Sequence, residues 1–131
     1  MCGIAGAFGY RPESPAVRST DLARISEWMA VRGPDGAGLW TSVDGRVGLA
    51  HRRLAIIDLS TAAAQPMVSA DGKLRIVFNG EIYNYKLLRA ELAGRGHKFR
   101  TSSDTEVLLA LYRESGDEMV RALRGLSLIH I

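Results

Sequence analysis

Apolar positions along the chain fall into short runs and helical spacings, separated by glycine-rich breaks. "GIAGAF", Gly3 to Phe8, is brief, apolar and glycine-spaced, which predicts a buried strand. "STDLARISEWMAVRG" places Leu22, Ile25, Trp28 and Met29 on one helical face, with cap-forming Ser19, Thr20 and Asp21 before them and Gly33 as a stop. "RGPDGAG" then predicts a loop whose backbone needs unusual dihedrals or close approach. The β-rich runs "LWTS", "RVGLAH", "RLAIID" and "KLRIVFNG" predict a sheet. A second helix follows in "NYKLLRAELAGRG", capped by Asn84 with Leu87, Leu88, Glu91 and Leu92 at helical spacing. After a short "KFRT" strand, "SDTEVLLALYRESG" opens with Ser103 and Glu106 in capping-box spacing and closes at Gly116. "DEMVRALRG" predicts a short fourth helix before "LSLIHI". Elements in blocks rather than strict alternation indicate an α+β fold with antiparallel strands.

Other properties narrow the class. A chain of 131 residues suits one domain. It is 47% hydrophobic and 24% charged, without low-complexity tracts or repeats, as in ordinary globular proteins. The net charge of +3 is mild and its cations are dispersed, which argues against nucleic acid as a partner. The amino terminus lacks signal-peptide features and no run approaches membrane-spanning length, so a cytoplasmic chain with no membrane partner is expected. One cysteine and the dispersed His51, His97 and His130 give no metal-ligand spacing and no internal disulfide. His51 reads as structural, and Trp28, Trp40 and Tyr83 read as core or wall residues. No phosphate-binding glycine loop is present.

The single cysteine is Cys2. If Met1 is removed, its thiol and the free α-amine share one residue, and that amine, with an ordinary pKa of about 7.7 to 8.0, can serve as the base a nucleophile requires. The competing reading is a small apolar side chain at the start of a strand.

"CGIAGAFGY", "RGPDGAG", "HRRLAIIDLS", "FNGEIYNY" and "SSDTEVLLALY", in this order, resemble the class II, N-terminal-nucleophile glutamine amidotransferase domain of glutamine-hydrolysing asparagine synthetases. The resemblance runs from Met1 to about Gly125; glucosamine-6-phosphate synthases share "CGI" but differ at "RGPDG", "RLAIID" and "NGEIYN". It implies a four-layer αββα sandwich, incomplete at the C-terminus: a partial amidotransferase domain over 1–125 and a tail, 126–131, that departs from the family's pattern. It also implies attack of the Cys2 thiolate on glutamine, a γ-glutamyl thioester, and release of ammonia. By the same resemblance, the Asn79 side chain and Gly80 N–H form the oxyanion hole and Arg53 binds the substrate carboxylate. Arg53, Leu54, Ala55, Ile56 and Ile57 line the substrate site, and Glu81 and Asp104 accept its ammonium. The loop Arg32, Gly33, Pro34, Asp35 and Gly36 would act as a lid. Bland readings stand beside these: a hairpin turn for Asn79-Gly80, a helix-start charge for Asp104, a solvated strand-end charge for Glu81, and a structural turn for the loop. Arg52, one residue from Arg53, should point to the opposite face.

The resemblance implies no cofactor in this chain; ATP and Mg²⁺ belong to a synthetase domain missing here, which amidates aspartate and is the expected partner, with a homodimer allowed. The alternatives are a non-catalytic glutamine-binding or interaction module on the same fold, or the glutaminase domain of another amidotransferase such as glucosamine-6-phosphate synthase.

Overall fold

Two three-stranded antiparallel sheets and three helices make up the fold, in a computed structural model that describes residues 1–130, with side chains described as far as Leu126. Ile131, the end of the expected tail, lies outside the described residues. The first sheet has the order β1 (Gly3–Phe8), β3 (Val47–Arg53), β2 (Gly36–Thr41), with Ile4 opposite His51 and Gly38 opposite His51 on the other side. In the second, β5 (Arg75–Ile82) lies between the two-residue β4 (Met67–Val68) and β6 (Gly125–His130). The backbone of "LSLIH" is thus a strand on β5, pairing Asn79 with Leu128 and Glu81 with Leu126.

The pleat decides what each sheet faces. On β3, Gly48 and Arg52 face α1 (Ser19–Trp28): a Cβ on Gly48 would collide with Val17 and Leu22, and Arg52 donates from Nε to Ser26 O and Oγ at 2.9 Å. Arg52 therefore does point away from Arg53. Leu49, His51 and Arg53 face the other way, where β1 and β3 touch β5. On β5, Ile76, Phe78 and Ile82 join Leu88 and Leu92 of α2 (Tyr85–Gly94) and Val107, Leu108 and Leu111 of α3 (Asp104–Ser115) in one core. Each such apolar side chain removed from water contributes about 1.5–3 kcal/mol. Val77, Asn79 and Glu81 occupy the alternate face, toward the first sheet.

Several expected elements differ. The first helix begins at Ser19 with Arg18 at its cap position and no side-chain cap; Asp21 instead pairs with Arg18 at 2.8 Å. Its buried residues are Leu22 and Ser26, while Ile25 and Trp28 are exposed, Trp28 at 86%. Trp28 is thus not a core residue. "RLAIID" is no strand, because β3 ends at Arg53. "KFRT" is irregular, and the fourth helix is a 3₁₀ segment, Gly116–Ala122. Asn84 stands at the cap position of α2 and its carbonyl accepts Leu88 N–H at 3.2 Å, but its side chain makes no cap bond; that amide spans Ala122 O and Arg124 N, both at 2.9 Å. Ser103 caps α3 by accepting Thr105 N–H at 3.1 Å. Glu106 does not close a capping box but receives the Arg100 and Thr101 N–H groups.

Candidate active site

Cys2, Arg53, Leu54, Ile56, Ile57, Asn79, Gly80, Glu81 and Asp104 line one cavity of about 140 Å³. A single water needs roughly 10–15 Å³ by the same measure, so the space accepts a small organic molecule. It opens where the ends of β1, β3 and β5 meet the start of α3.

The start of β1 sets the thiol. Gly3 pairs with Arg52, so the residue before it lies beside the chain that leaves β3 after Arg53. The Leu54 N–H donates to Cys2 Sγ at 3.3 Å, and Sγ lies 3.6 Å from Leu54 O as a donor. These two contacts with the main chain of one residue fix where the sulfur sits at the cavity wall. Met1 also lines the cavity, and Arg32 Nε donates to Cys2 O at 3.4 Å.

Across the cavity, the end of β5 delivers three consecutive residues. Asn79 is buried, whereas Gly80 and Glu81 are exposed to the cavity side. This stretch is not a hairpin turn: Asn79, Gly80 and Glu81 remain in strand, paired with β6. Asp104, at the first position of α3, accepts Ile82 N–H at 3.1 Å. Burial pushes the Asp104 carboxyl above its usual value, opposed by main-chain N–H donors and assisted by the nearby Glu81 charge. An ammonium placed between Glu81 and Asp104 would relieve both effects.

Arg53 ends β3, and its guanidinium donates to Ser60 O at 2.8 Å and to Asp58 O. Two of its five N–H donors are thus used to curl residues 54–60 around the site, leaving three for a ligand. Asp58 completes the curl: its carboxylate accepts Ser60 N–H at 2.9 Å, Ser102 N–H at 2.8 Å and Ser102 O–H at 3.0 Å. The Ser60 and Ser102 bonds hold the Asp58 carboxyl far below its ordinary pKa.

Ala55, His51 and the Arg32–Gly36 loop lie outside the cavity lining. Ala55 turns away, and its N–H donates to Asp35 Oδ2 at 2.9 Å. The Arg32–Gly36 loop packs on the end of β3: Asp35 N–H donates to Arg53 O at 3.0 Å, and a Cβ on Gly33 would lie 2.4 Å from the Arg52 carbonyl carbon. Only glycine permits that approach. His51 is fully buried, its ring Nε2 has no partner, and desolvation lowers its pKa to about 4. Tyr83 forms part of the cavity wall. Sequence reasoning missed Asp58, Gln65, Ser103 and Thr105, which also line it. Gln65 and Asp58 lie outside regular elements, and Ser103 and Thr105 read as helix-start residues. Among the described residues no group of His, Cys, Asp and Glu is arranged to hold a metal, and no helix is long and apolar enough to cross a membrane.

The chain matches, over residues 1–131, the family described as "Glutamine amidotransferase domain". It is 44% identical over 127 residues to asparagine synthetase [glutamine-hydrolyzing] 1 of Bacillus subtilis (strain 168), covering 96% of this chain and 20% of that protein. It is 44% identical over 126 residues to asparagine synthetase [glutamine-hydrolyzing] 2 of Arabidopsis thaliana, covering 96% of this chain and 21% of that protein. Against asparagine synthetase B [glutamine-hydrolyzing] of Escherichia coli (strain K12) it is 42% identical over 126 residues, covering 96% of this chain and 22% of that protein. The chain spans about a fifth of the length of these relatives.

Proposed function

The chain belongs to the glutamine amidotransferase domain family, and on that premise we propose that it hydrolyses glutamine to glutamate and ammonia through a cysteinyl thioester. The observation that carries this reading is the convergence of Cys2, Arg53, Asn79, Gly80, Glu81 and Asp104 on one cavity. These residues come from sequence positions as far apart as 2 and 104, and they match the needs of an amino-acid amide: a nucleophile, an oxyanion site, a guanidinium and two carboxylates.

In this mechanism Arg53 pairs with the substrate α-carboxylate while Glu81 and Asp104 receive its ammonium, which leaves the side-chain amide at the sulfur. With Met1 removed, the Cys2 α-amine takes the thiol proton and the thiolate attacks the amide carbon. The Asn79 side-chain amide and the Gly80 N–H stabilise the oxyanion. Collapse breaks the carbon–nitrogen bond, the departing nitrogen takes the proton held by the α-amine, and water then hydrolyses the thioester and restores the thiol. The Arg32–Gly36 loop, hydrogen-bonded beside Cys2, is assigned the role of covering the site.

The succession of α1, first sheet, second sheet, and α2 with α3 supports a four-layer αββα sandwich of the N-terminal-nucleophile type. In a protein organised like the relatives, the ammonia would serve ATP- and Mg²⁺-dependent amidation of aspartate in the four-fifths that this chain does not span. The test is intact mass of the purified chain before and after a diazoketone glutamine analogue, alongside a glutaminase assay. Loss of one methionine and a single adduct that glutamine prevents support the reading; a processed chain that neither labels nor turns over glutamine overturns it.

A further inference from the structure

We propose that Gln65 is a positioning residue whose side-chain amide fixes the spacing between the strand that carries Asn79 and the helix that carries Asp104. The inference rests on the glutaminase reading above and adds a residue which neither the sequence motifs nor the family match assigns.

The register of β4 and β5 shows why a side chain is needed here. Met67 pairs with Ile76 and Val68 with Arg75, so continuing the ladder would set Pro66 opposite Val77 and Gln65 opposite Phe78. Pro66 has no N–H, and the strand ends at Met67. The Phe78 N–H would be left without its ladder partner one residue before Asn79. Gln65 Oε1 takes it instead, at 2.6 Å. The other end of the same amide, Nε2, donates to Thr105 Oγ1 at 3.3 Å, one residue after Asp104.

The Gln65 backbone is itself held by close packing. A Cβ on Gly38 of β2 would come within 1.9 Å of Gln65 O, so the first sheet lies directly against this residue. Gln65 and Thr105 both line the cavity. One planar amide thus spans from β5 to α3 behind the two residues proposed to bind the oxyanion and the ammonium. Its two ends predict separable consequences: the Phe78 bond acts through Asn79 on the chemical step, and the Thr105 bond acts through Asp104 on glutamine binding.

The experiment compares Gln65→Met, which keeps the length but loses both bonds, with Thr105→Val, which keeps the shape and the Phe78 bond. Glutaminase kcat and KM are measured per site titrated by the diazoketone analogue. Displacing a reacting group by about 1 Å costs on the order of 100-fold, so Gln65→Met should lower kcat per titrated site by about 10- to 100-fold and raise KM. Thr105→Val should mainly raise KM. Wild-type kcat and KM per titrated site in Gln65→Met overturn the proposal, as does a loss confined to the number of titratable sites. Should Gln65→Met fail to fold, a Thr105→Val enzyme with unchanged KM overturns it equally. Absence of labelling in the unsubstituted chain would instead strike the glutaminase reading itself.

Discussion

The sulfur of Cys2 receives the main-chain N–H of Leu54 at 3.3 Å, from a residue 52 positions away. That bond joins the start of β1 to the point where β3 gives up its ladder, and it aims a donor at the atom proposed to act as nucleophile. Cys2→Ala should abolish both glutamine hydrolysis and analogue labelling while glutamine still raises the melting temperature. Cys2→Ser, with the same reach but an alcohol far harder to ionise, should keep binding and lose turnover by several orders of magnitude. Thermal shift with glutamine, run beside the assay, checks both; hydrolysis surviving in Cys2→Ala would remove the nucleophile assignment.

In the proposed mechanism Arg53 has two duties that a lysine cannot share. Its fork would grip the substrate carboxylate, and it already holds the Ser60 and Asp58 carbonyls that shape residues 54–60. Arg53→Lys retains the charge but loses the planar geometry. The expected outcome is a rise in KM for glutamine of about tenfold or more, equivalent to about 1.4 kcal/mol. Steady-state kinetics decide this, and an unchanged KM would move the carboxylate site elsewhere.

That Cys2, Arg53, Asn79, Gly80, Glu81 and Asp104 belong together was legible only through the five motifs and their family resemblance, and they do line one cavity; the pattern of apolar positions predicts the elements that carry them. The run "RIVFNG" predicts a strand ending near Asn79, where β5 in fact continues to Ile82, and Ser103 announces the helix that opens at Asp104. Tertiary contacts overrode pattern elsewhere. "RLAIID" has the composition of a strand, yet its main-chain groups are taken by other partners: Leu54 N–H by the Cys2 sulfur and Ala55 N–H by the Asp35 carboxylate. The face of α1 that packs inward carries Ser26, which Arg52 requires, and the Ile25 and Trp28 side is left outward. Gln65 belongs to no periodic element, and its value appears only when the Phe78 N–H is found without a ladder partner.

Asp104 offers a test by pH. Its folded pKa lies above the ordinary 3.8 because burial disfavours the charge. The native state therefore holds its proton to higher pH than the unfolded chain, and stability from this group is lost as pH rises from about 3.8 through the raised folded value. Asp104→Asn can still accept the Ile82 N–H, so it should gain stability relative to the parent across that window and keep the advantage above it. Glutamine binding should move oppositely, weakened about tenfold or more by loss of a charged ammonium partner. Melting curves and glutamine titrations at several pH values separate the effects. A variant no more stable than the parent at neutral pH would show that the carboxylate carries no burial penalty.

His51 titrates in the reverse sense. It is 1% exposed between the sheets, and desolvation, reinforced by the Arg53 charge, lowers its pKa from 6.5 to about 4. The folded chain keeps the ring neutral while the unfolded chain protonates it below 6.5. Stability contributed by the neutral ring is therefore present above pH 6.5 and declines as pH falls toward 4, by roughly 1.4 kcal/mol per pH unit and roughly 3 kcal/mol in all. His51→Leu removes the titrating group and its unpartnered Nε2, so its urea-unfolding free energy should fall less between pH 7 and pH 4.5 than that of the parent. Parallel pH dependences in the two proteins would mean that the ring has a proton acceptor at hand and is not the acid-sensitive element of the core.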